Sequence, residues 1–223
     1  MSQILSDFEK DLLEAFFKLK SAKEFALTGG AALAEFYFQH RLSNDLDLFT
    51  LDEQAFQDVG THLADLAKSA GAEEKPIRSL QTLNQVIYRR GDKEIKLDIV
   101  RDSGPQFGEV EKFGDIQVDA LENIGANKVG ALFGRAAYRD YIDLYFILRE
   151  GGFSFEHLLE LAKQKDSGIQ EFYLAGWIKQ QTPKLHTPPT MLKEVDLEEV
   201  KRYFLKLADD LMAGLNPDEK FRK

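Results

Sequence analysis

The sequence predicts an α+β fold, with a mixed β-sheet flanked by helices and a mainly helical C-terminal part. Three observations carry that prediction. Runs that alternate apolar and polar residues mark strands in the first half of the chain, clearest in DLDLFT at Asp45–Thr50. Apolar residues recurring at helical intervals mark helices between those strands and through nearly everything after Ala120. Gly29-Gly30 and Gly91-Asp92 break the runs where the chain must turn. A chain of 223 residues can bury one full domain with a helical extension. The expected division is a mixed domain at residues 1–119 and a helical region at residues 120–223.

The elements follow in order. Ser6-Asp7 is a cap signal for a helix whose apolar positions are Phe8, Leu12, Leu13, Phe16, Phe17 and Leu19, ending at Lys20-Ser21. Phe25 to Thr28 reads as a short buried strand, Gly29-Gly30 ends it, and AALAEFYFQH continues as an apolar helix. After Ser43-Asn44 the DLDLFT strand places leucines on one face and carboxylates on the other. One helix is expected from about Glu53 to Ala70, then strands over Lys75–Leu80, Gln85–Arg90 and Glu94–Val100, the last two joined at Gly91-Asp92. The remainder is read as helices at Ala120–Gly134, Asp140–Arg149, Ser154–Lys165, around Trp177, and at Leu197–Leu215 after the loop QTPKLHTPPT. Phe172, Tyr173 and Trp177 are spaced for helix packing rather than for a base-stacking platform.

Composition narrows the chemistry. A net charge of -9 argues against coating nucleic acid or an anionic membrane through overall basicity, so a polyanionic partner has to be met by a local basic groove. No apolar run is long enough to span a bilayer, and MSQILSDFEKDLLEAF is too acidic for a signal peptide, so no membrane association and a cytoplasmic location are expected. With no cysteine, disulfides, thiolate zinc sites and thiol nucleophiles are excluded, and His40, His62, His157 and His186 form no metal-ligand pair at helical spacing. A bound metal has to be held by oxygen.

Asp45 and Asp47 offer that oxygen. Residues two apart on a strand point the same way, with Cα atoms roughly 6.5–7 Å apart, so both carboxylates can approach one hard cation such as Mg2+. Asp98 in EIKLDIVRD lies on the polar side of its own strand and is the third candidate, as metal ligand or as base. Thr28-Gly29-Gly30 opens a helix after a strand, where unpaired N–H groups and absent side chains let a phosphate come close. Alone, D-x-D suits a solvated strand edge and Gly-Gly an ordinary turn. Together, one helix apart, they suggest a phosphate cradle beside a metal-binding carboxylate pair.

Four blocks in this order, GGAAL, HRLSNDLDLF, KLDIV and NKVGALFGRAAYRDYIDLYFIL, resemble the AbiEii/AbiGii toxin family of nucleotidyltransferases, within the DNA polymerase β-like superfamily. The resemblance runs from about Phe25 to Arg149. It implies a nucleotidyltransferase-like fold with the catalytic domain at residues 1–119, Mg2+ as cofactor and a nucleoside triphosphate as substrate. It also implies an RNA acceptor, with the tRNA acceptor end favoured, and an antitoxin protein as partner, while the residues themselves leave open a small-molecule or protein hydroxyl as acceptor and a catalytically silent partner-binding module with the same fold. By the same resemblance Gly29 and Gly30 hold nucleotide, Asp45 and Asp47 hold metal, and Lys128 acts from the helical side with Asp143 or Asp140; Thr28 and Ser43 are further nucleotide-binding candidates beside them. One position departs: members of the superfamily usually carry Ser or Thr after the glycines, where this chain has Ala31, so a phosphate-directed hydroxyl has to come from Thr28 if from anywhere.

Helix geometry bears on the two later aspartates. In one continuous helix, steps of about 100° place Arg135, Arg139 and Asp143 on the side of Lys128 and turn Asp140 away. If the helix breaks near Gly134 and restarts, Asp140 becomes an N-cap and Asp143 falls in the first turn. Both versions favour Asp143 for chemistry and make Lys128, Arg135 and Arg139 a basic face for triphosphate or RNA. His40-Arg41 at the end of the first motif helix reads as a dipole cap, with Arg41 also able to pair with a carboxylate of the site.

Overall fold

The computed structural model describes residues 4–135 and 137–215. Met1–Gln3 of the N-terminal reading, Ala136 of the last motif block and residues 216–223 of the expected helical region lie outside the described residues. The chain divides into two compact units, residues 1–124 and 125–223.

The first unit begins with α1 (Asp7–Phe17), capped as its sequence demands: the Ser6 hydroxyl accepts from the Glu9 amide, and the Glu9 carboxylate accepts from the Ser6 amide. A 3-10 turn over Lys20–Glu24 leads into β1 (Ala26–Thr28), then α2 (Gly29–Ala32), which runs directly into a π-helical stretch, Leu33–Phe38. Gln39, left-handed at φ 53°, ends it. Next come β2 (Asp45–Thr50), α3 (Glu53–Thr61), α4 (Leu63–Ser69), β3 (Glu73–Ser79), β4 (Leu83–Arg90), β5 (Lys93–Arg101), β6 (Glu111–Phe113) and β7 (Ile116–Val118). The strands form one sheet of seven in the order β3-β4-β5-β2-β1-β7-β6. It is mixed: β2 runs parallel to β5 and β1 parallel to β7, while the other neighbours are antiparallel.

The alternation expected in DLDLFT is realised residue by residue. Leu46, Leu48 and Thr50 are buried while Asp45, Asp47 and Phe49 stay half-exposed. β5 does the same, burying Ile95, Leu97 and Ile99 and leaving Lys96 and Asp98 on the open side. The buried face is covered by helices, with α3 packing on β2 and β5 through an element that carries Phe56 and Val59. One expected helix is two: the Glu53–Ala70 run breaks at His62, whose φ of -102° and ψ of 7° depart from helical values.

In the second unit α5 (Leu121–Gly134), which starts in the first, is followed by α6 (Tyr138–Glu150), α7 (Phe155–Lys165), α8 (Glu171–Gln181) and α9 (Leu197–Leu215). The packing is tight at Gly125, where a Cβ would meet both methyls of Leu158 at 2.9 Å. Tyr141 and Phe204 meet edge to face at 4.8 Å, tying α6 to α9. The packing reading needs correction for two of the three aromatics, Trp177 being partly buried. Phe172 and Tyr173 are 59% and 61% exposed, because α8 turns its buried face, Leu174, Ala175 and Ile178, to the other side.

Candidate active site

The open face of the sheet gathers the acidic residues through register alone. β2 and β5 are parallel neighbours in which Asp45 lies opposite Lys96 and Asp47 opposite Asp98. One strand further, Gln85 of β4 lies opposite Asp98, and on the other side Thr28 of β1 lies opposite Asp47. A row Thr28-Asp47-Asp98-Gln85 thus crosses four strands. Gln85 donates its side-chain amide to both oxygens of Asp98, at 3.2 Å each. The Lys96 ammonium stands 3.0 Å from Asp98 Oδ2 and 3.7 Å from Asp45 Oδ2. Burial disfavours that charge, but the hydrogen bond Lys96 donates to Asp98 and the fields of Asp45, Asp98 and Asp47 outweigh it and hold the Lys96 pKa above its ordinary value.

The glycine turn is built against this face. Gly29 has φ +67°, a left-handed conformation that a side chain resists, and a Cβ there would collide with the Asp47 carboxylate. A Cβ on Gly30 would collide with the Arg41 guanidinium and lie 3.0 Å from the Ser43 hydroxyl. The pair of glycines is required because Asp47 occupies the space beside one and Arg41 and Ser43 the space beside the other. Arg41 is nearly fully buried and donates to the Leu42 carbonyl at 2.8 Å. The buried Thr28 hydroxyl, the expected source of a phosphate contact, donates to Asp119 Oδ2 at 2.8 Å. Asn123 supports the same carboxylate from 2.8 and 3.0 Å, so in this arrangement the Thr28 proton serves a network under the turn.

The donor set suits a hard divalent cation, since Asp45, Asp47 and Asp98 offer only carboxylate oxygen and two of them share a strand face. Among the described residues no group of three or more acidic, histidine or cysteine side chains is already drawn together around a common point. Asp45 and Asp98 instead each stand within ion-pair distance of the Lys96 ammonium.

In the second unit Lys128 is buried between two fully buried aspartates, 3.0 Å from Asp140 Oδ1 and 2.6 Å from Asp143 Oδ2. Arg135 reaches Asp140 as well, at 2.9 Å to Oδ2 and 3.0 Å to Oδ1. Burial alone would raise the Asp140 pKa; the charge of Lys128 and the hydrogen bond and charge of Arg135 overcome it, and the carboxyl is held below its usual value. The N-cap reading of Asp140 is corrected: α5 and α6 are separate helices, but Ala137 occupies the cap and Asp140 lies inside the first turn. Its carboxylate faces Lys128 and Arg135 instead of a backbone amide, and Asp140 and Asp143 share one ammonium. Arg139 is exposed and Lys128 is not, so the two do not present a common basic surface.

Of the residues the sequence singled out, the structure sets Asp45, Asp47 and Asp98 on paired strands, with Gly29 against Asp47 and Ser43 beside Gly30. Sequence reasoning passed over Lys96 and Asp119, and gave Arg41 only a capping role or a carboxylate partner. Lys96 had a signal, since it shares the polar side of its strand with Asp98.

A family model described as nucleotidyl transferase AbiEii toxin, type IV TA system, matches residues 11–223. An uncharacterized protein of Aquifex aeolicus, aq_aa25, is 26% identical over 171 residues, covering 72% of this chain and 75% of its own. A crystal structure of a candidate nucleotidyltransferase from H. pylori aligns with TM-score 0.58 at 18% identity, over 95% of this chain and 97% of that one. The crystal structure of JHP933 from Helicobacter pylori aligns at TM-score 0.56 and 18% identity, over 93% and 90%. At that identity the two structures show a shared fold.

Proposed function

Because this chain belongs to the AbiEii family of nucleotidyl transferase toxins, we propose that it moves a nucleoside monophosphate from a nucleoside triphosphate to an acceptor hydroxyl on RNA, at the tRNA acceptor end, with Mg2+ as cofactor. The observation that supports the reading most is the β2–β5 register, which sets Asp47 beside Asp98 with the Gly29-Gly30 turn against Asp47. Asp45 and Asp47 hold the metal, with Asp98 as third ligand or base. Mg2+, when bound, offsets phosphate charge and acidifies the acceptor hydroxyl. The Gly29 and Gly30 amides, with Arg41 and Ser43 alongside, receive phosphate oxygens.

The transfer balances simply. The acceptor oxygen bonds to the α-phosphorus, the bond from that phosphorus to the bridging oxygen breaks, and pyrophosphate leaves with the electron pair. Asp98 takes the proton of the acceptor hydroxyl. Lys128 and Asp143 enter by family likeness as residues needed for activity, and Arg135, taken from helix spacing, as a contact to phosphate or RNA. An antitoxin encoded with the enzyme is proposed on the same ground, and a cytoplasmic place of action accords with the absence, among the described residues, of any helix long and apolar enough to cross a membrane.

The test is incubation with each labelled nucleoside triphosphate, Mg2+ and total RNA. Label should appear in RNA of tRNA size, and Asp47→Asn should abolish both transfer and Mg2+-dependent triphosphate binding while leaving the circular dichroism spectrum intact. Label in a low-mass product instead would move the acceptor to a small molecule, and unchanged transfer by Asp47→Asn would remove the metal assignment.

A further inference from the structure

Lys96 needs an explanation that the transfer reaction does not provide. It is half-buried on a sheet face, in register with the first aspartate of the metal pair and two residues before Asp98 on the same strand. Its ammonium is 3.0 Å from Asp98 and 3.7 Å from Asp45, so it stands where the two carboxylates would otherwise repel each other. An ammonium is a single charge with directional donors; a divalent cation has twice the charge and coordinates carboxylate oxygens directly. The two cannot both take the same lone pairs of Asp45 and Asp98.

We propose that Lys96 competes with the divalent cation for Asp45 and Asp98, neutralising the acidic face until a metal displaces its ammonium. This rests on the metal reading of the site given above and adds to it a residue that sets how tightly the metal is held. Three features of the structure agree. The carboxylates lean on Lys96 and are not drawn around a point of their own. Gln85 steadies Asp98 from the neighbouring strand, so Asp98 keeps its position when the ammonium leaves. Lys96 is held by a long, unbranched stem on the open side of the sheet, which lets its head swing away without disturbing Ile95 and Leu97 in the core.

The consequence is a metal affinity deliberately below what three carboxylates could reach, with the displaced ammonium released toward the arriving triphosphate. A free metal ion then binds weakly, and a metal carried by a triphosphate, whose charge the freed ammonium can meet, binds better.

The experiment measures Mn2+ binding directly, by electron paramagnetic resonance of the free ion, on the full chain without nucleotide. Lys96→Met, which keeps the stem and removes the charge, should bind Mn2+ about tenfold more tightly than wild type, a change of about 1.4 kcal/mol. Lys96→Arg, which keeps the charge, should stay near wild type. Lys93→Met removes a charge from the start of the same strand, where the side chain is exposed, and should change the dissociation constant less than twofold. Circular dichroism verifies that each variant is folded, and a Lys96→Met that does not fold is replaced by Lys96→Gln. Equal or weaker binding by the neutral variant overturns the inference, as does an equal gain in Lys93→Met, which would show bulk electrostatics at work. Absence of Mn2+ binding in wild type and Lys96→Met alike overturns the metal reading itself, and this inference with it.

Discussion

At the scale of single residues the site is a matter of which atoms lie too close for substitution. Gly29 sits at φ +67° with the Asp47 carboxylate against it, so Gly29→Ala incurs both backbone strain of about 1–2 kcal/mol and displacement of a metal-binding carboxylate. We expect a lower melting temperature and a transfer rate reduced by orders of magnitude, read by single-turnover kinetics. The buried cluster in the helical unit gives a second prediction. Because Lys128 has two buried carboxylates as partners, removing either with Asp140→Ala or Asp143→Ala should cost about 3–5 kcal/mol in denaturant titrations. Asp143→Ala is therefore expected to lower stability as well as any activity. The Asp140 carboxyl titrates below its unfolded value, so it contributes stability that is fully present above about pH 4 and is lost as the pH falls through the depressed native value. Acid unfolding of Asp140→Asn should accordingly be shallower than that of wild type. Asp45, Asp47 and Asp98 were legible in the sequence because strand periodicity fixes which way a side chain points. The reach of Lys96 to Asp45 was not, since it depends on β2 pairing with β5, and neither was the place of Arg41 against Gly30, which depends on how the chain folds back between them.

At the scale of elements, local chemistry and tertiary contact divide the credit. The capping box at Ser6 and Glu9 is written in adjacent residues, and Ser6→Ala should cost about 0.5–2 kcal/mol by thermal melting. DLDLFT and Leu197–Leu215 were readable to the residue, the first from alternation and the second from its amphipathic repeat. Leu48, fully buried on β2, should cost about 2–5 kcal/mol when replaced by alanine, measured by urea unfolding. Three features escaped. β6 and β7 have three residues each, too few to show alternation, and they exist because β7 finds Leu27 opposite Val118 across most of the unit. The π-helical stretch Leu33–Phe38 follows from how the helix must close on Gln39, which apolar spacing does not report. The break at His62 lies inside a run whose apolar positions continue on both sides.

At the scale of the whole molecule, a net charge of -9 requires that any RNA be gripped locally, so binding should weaken with salt less steeply than for a protein that wraps its ligand in lysines. Induced expression of wild type should slow growth of the host while Asp47→Asn should not; equal growth with both, at equal protein levels, would separate the chain from the toxic behaviour its family is described by. The strand order carries one more consequence. β2 is the middle strand of seven, with β1 bonded along one edge and β5 along the other. Its amides can meet deuterium only when the whole sheet opens, whereas those of β6, at a margin, need only fray. In an exchange experiment Leu46 and Leu48 should therefore be among the last amides to gain mass, so that the carboxylates between and beside them ride on the slowest-opening backbone in the unit, and the reactive face persists through every partial loosening at the periphery.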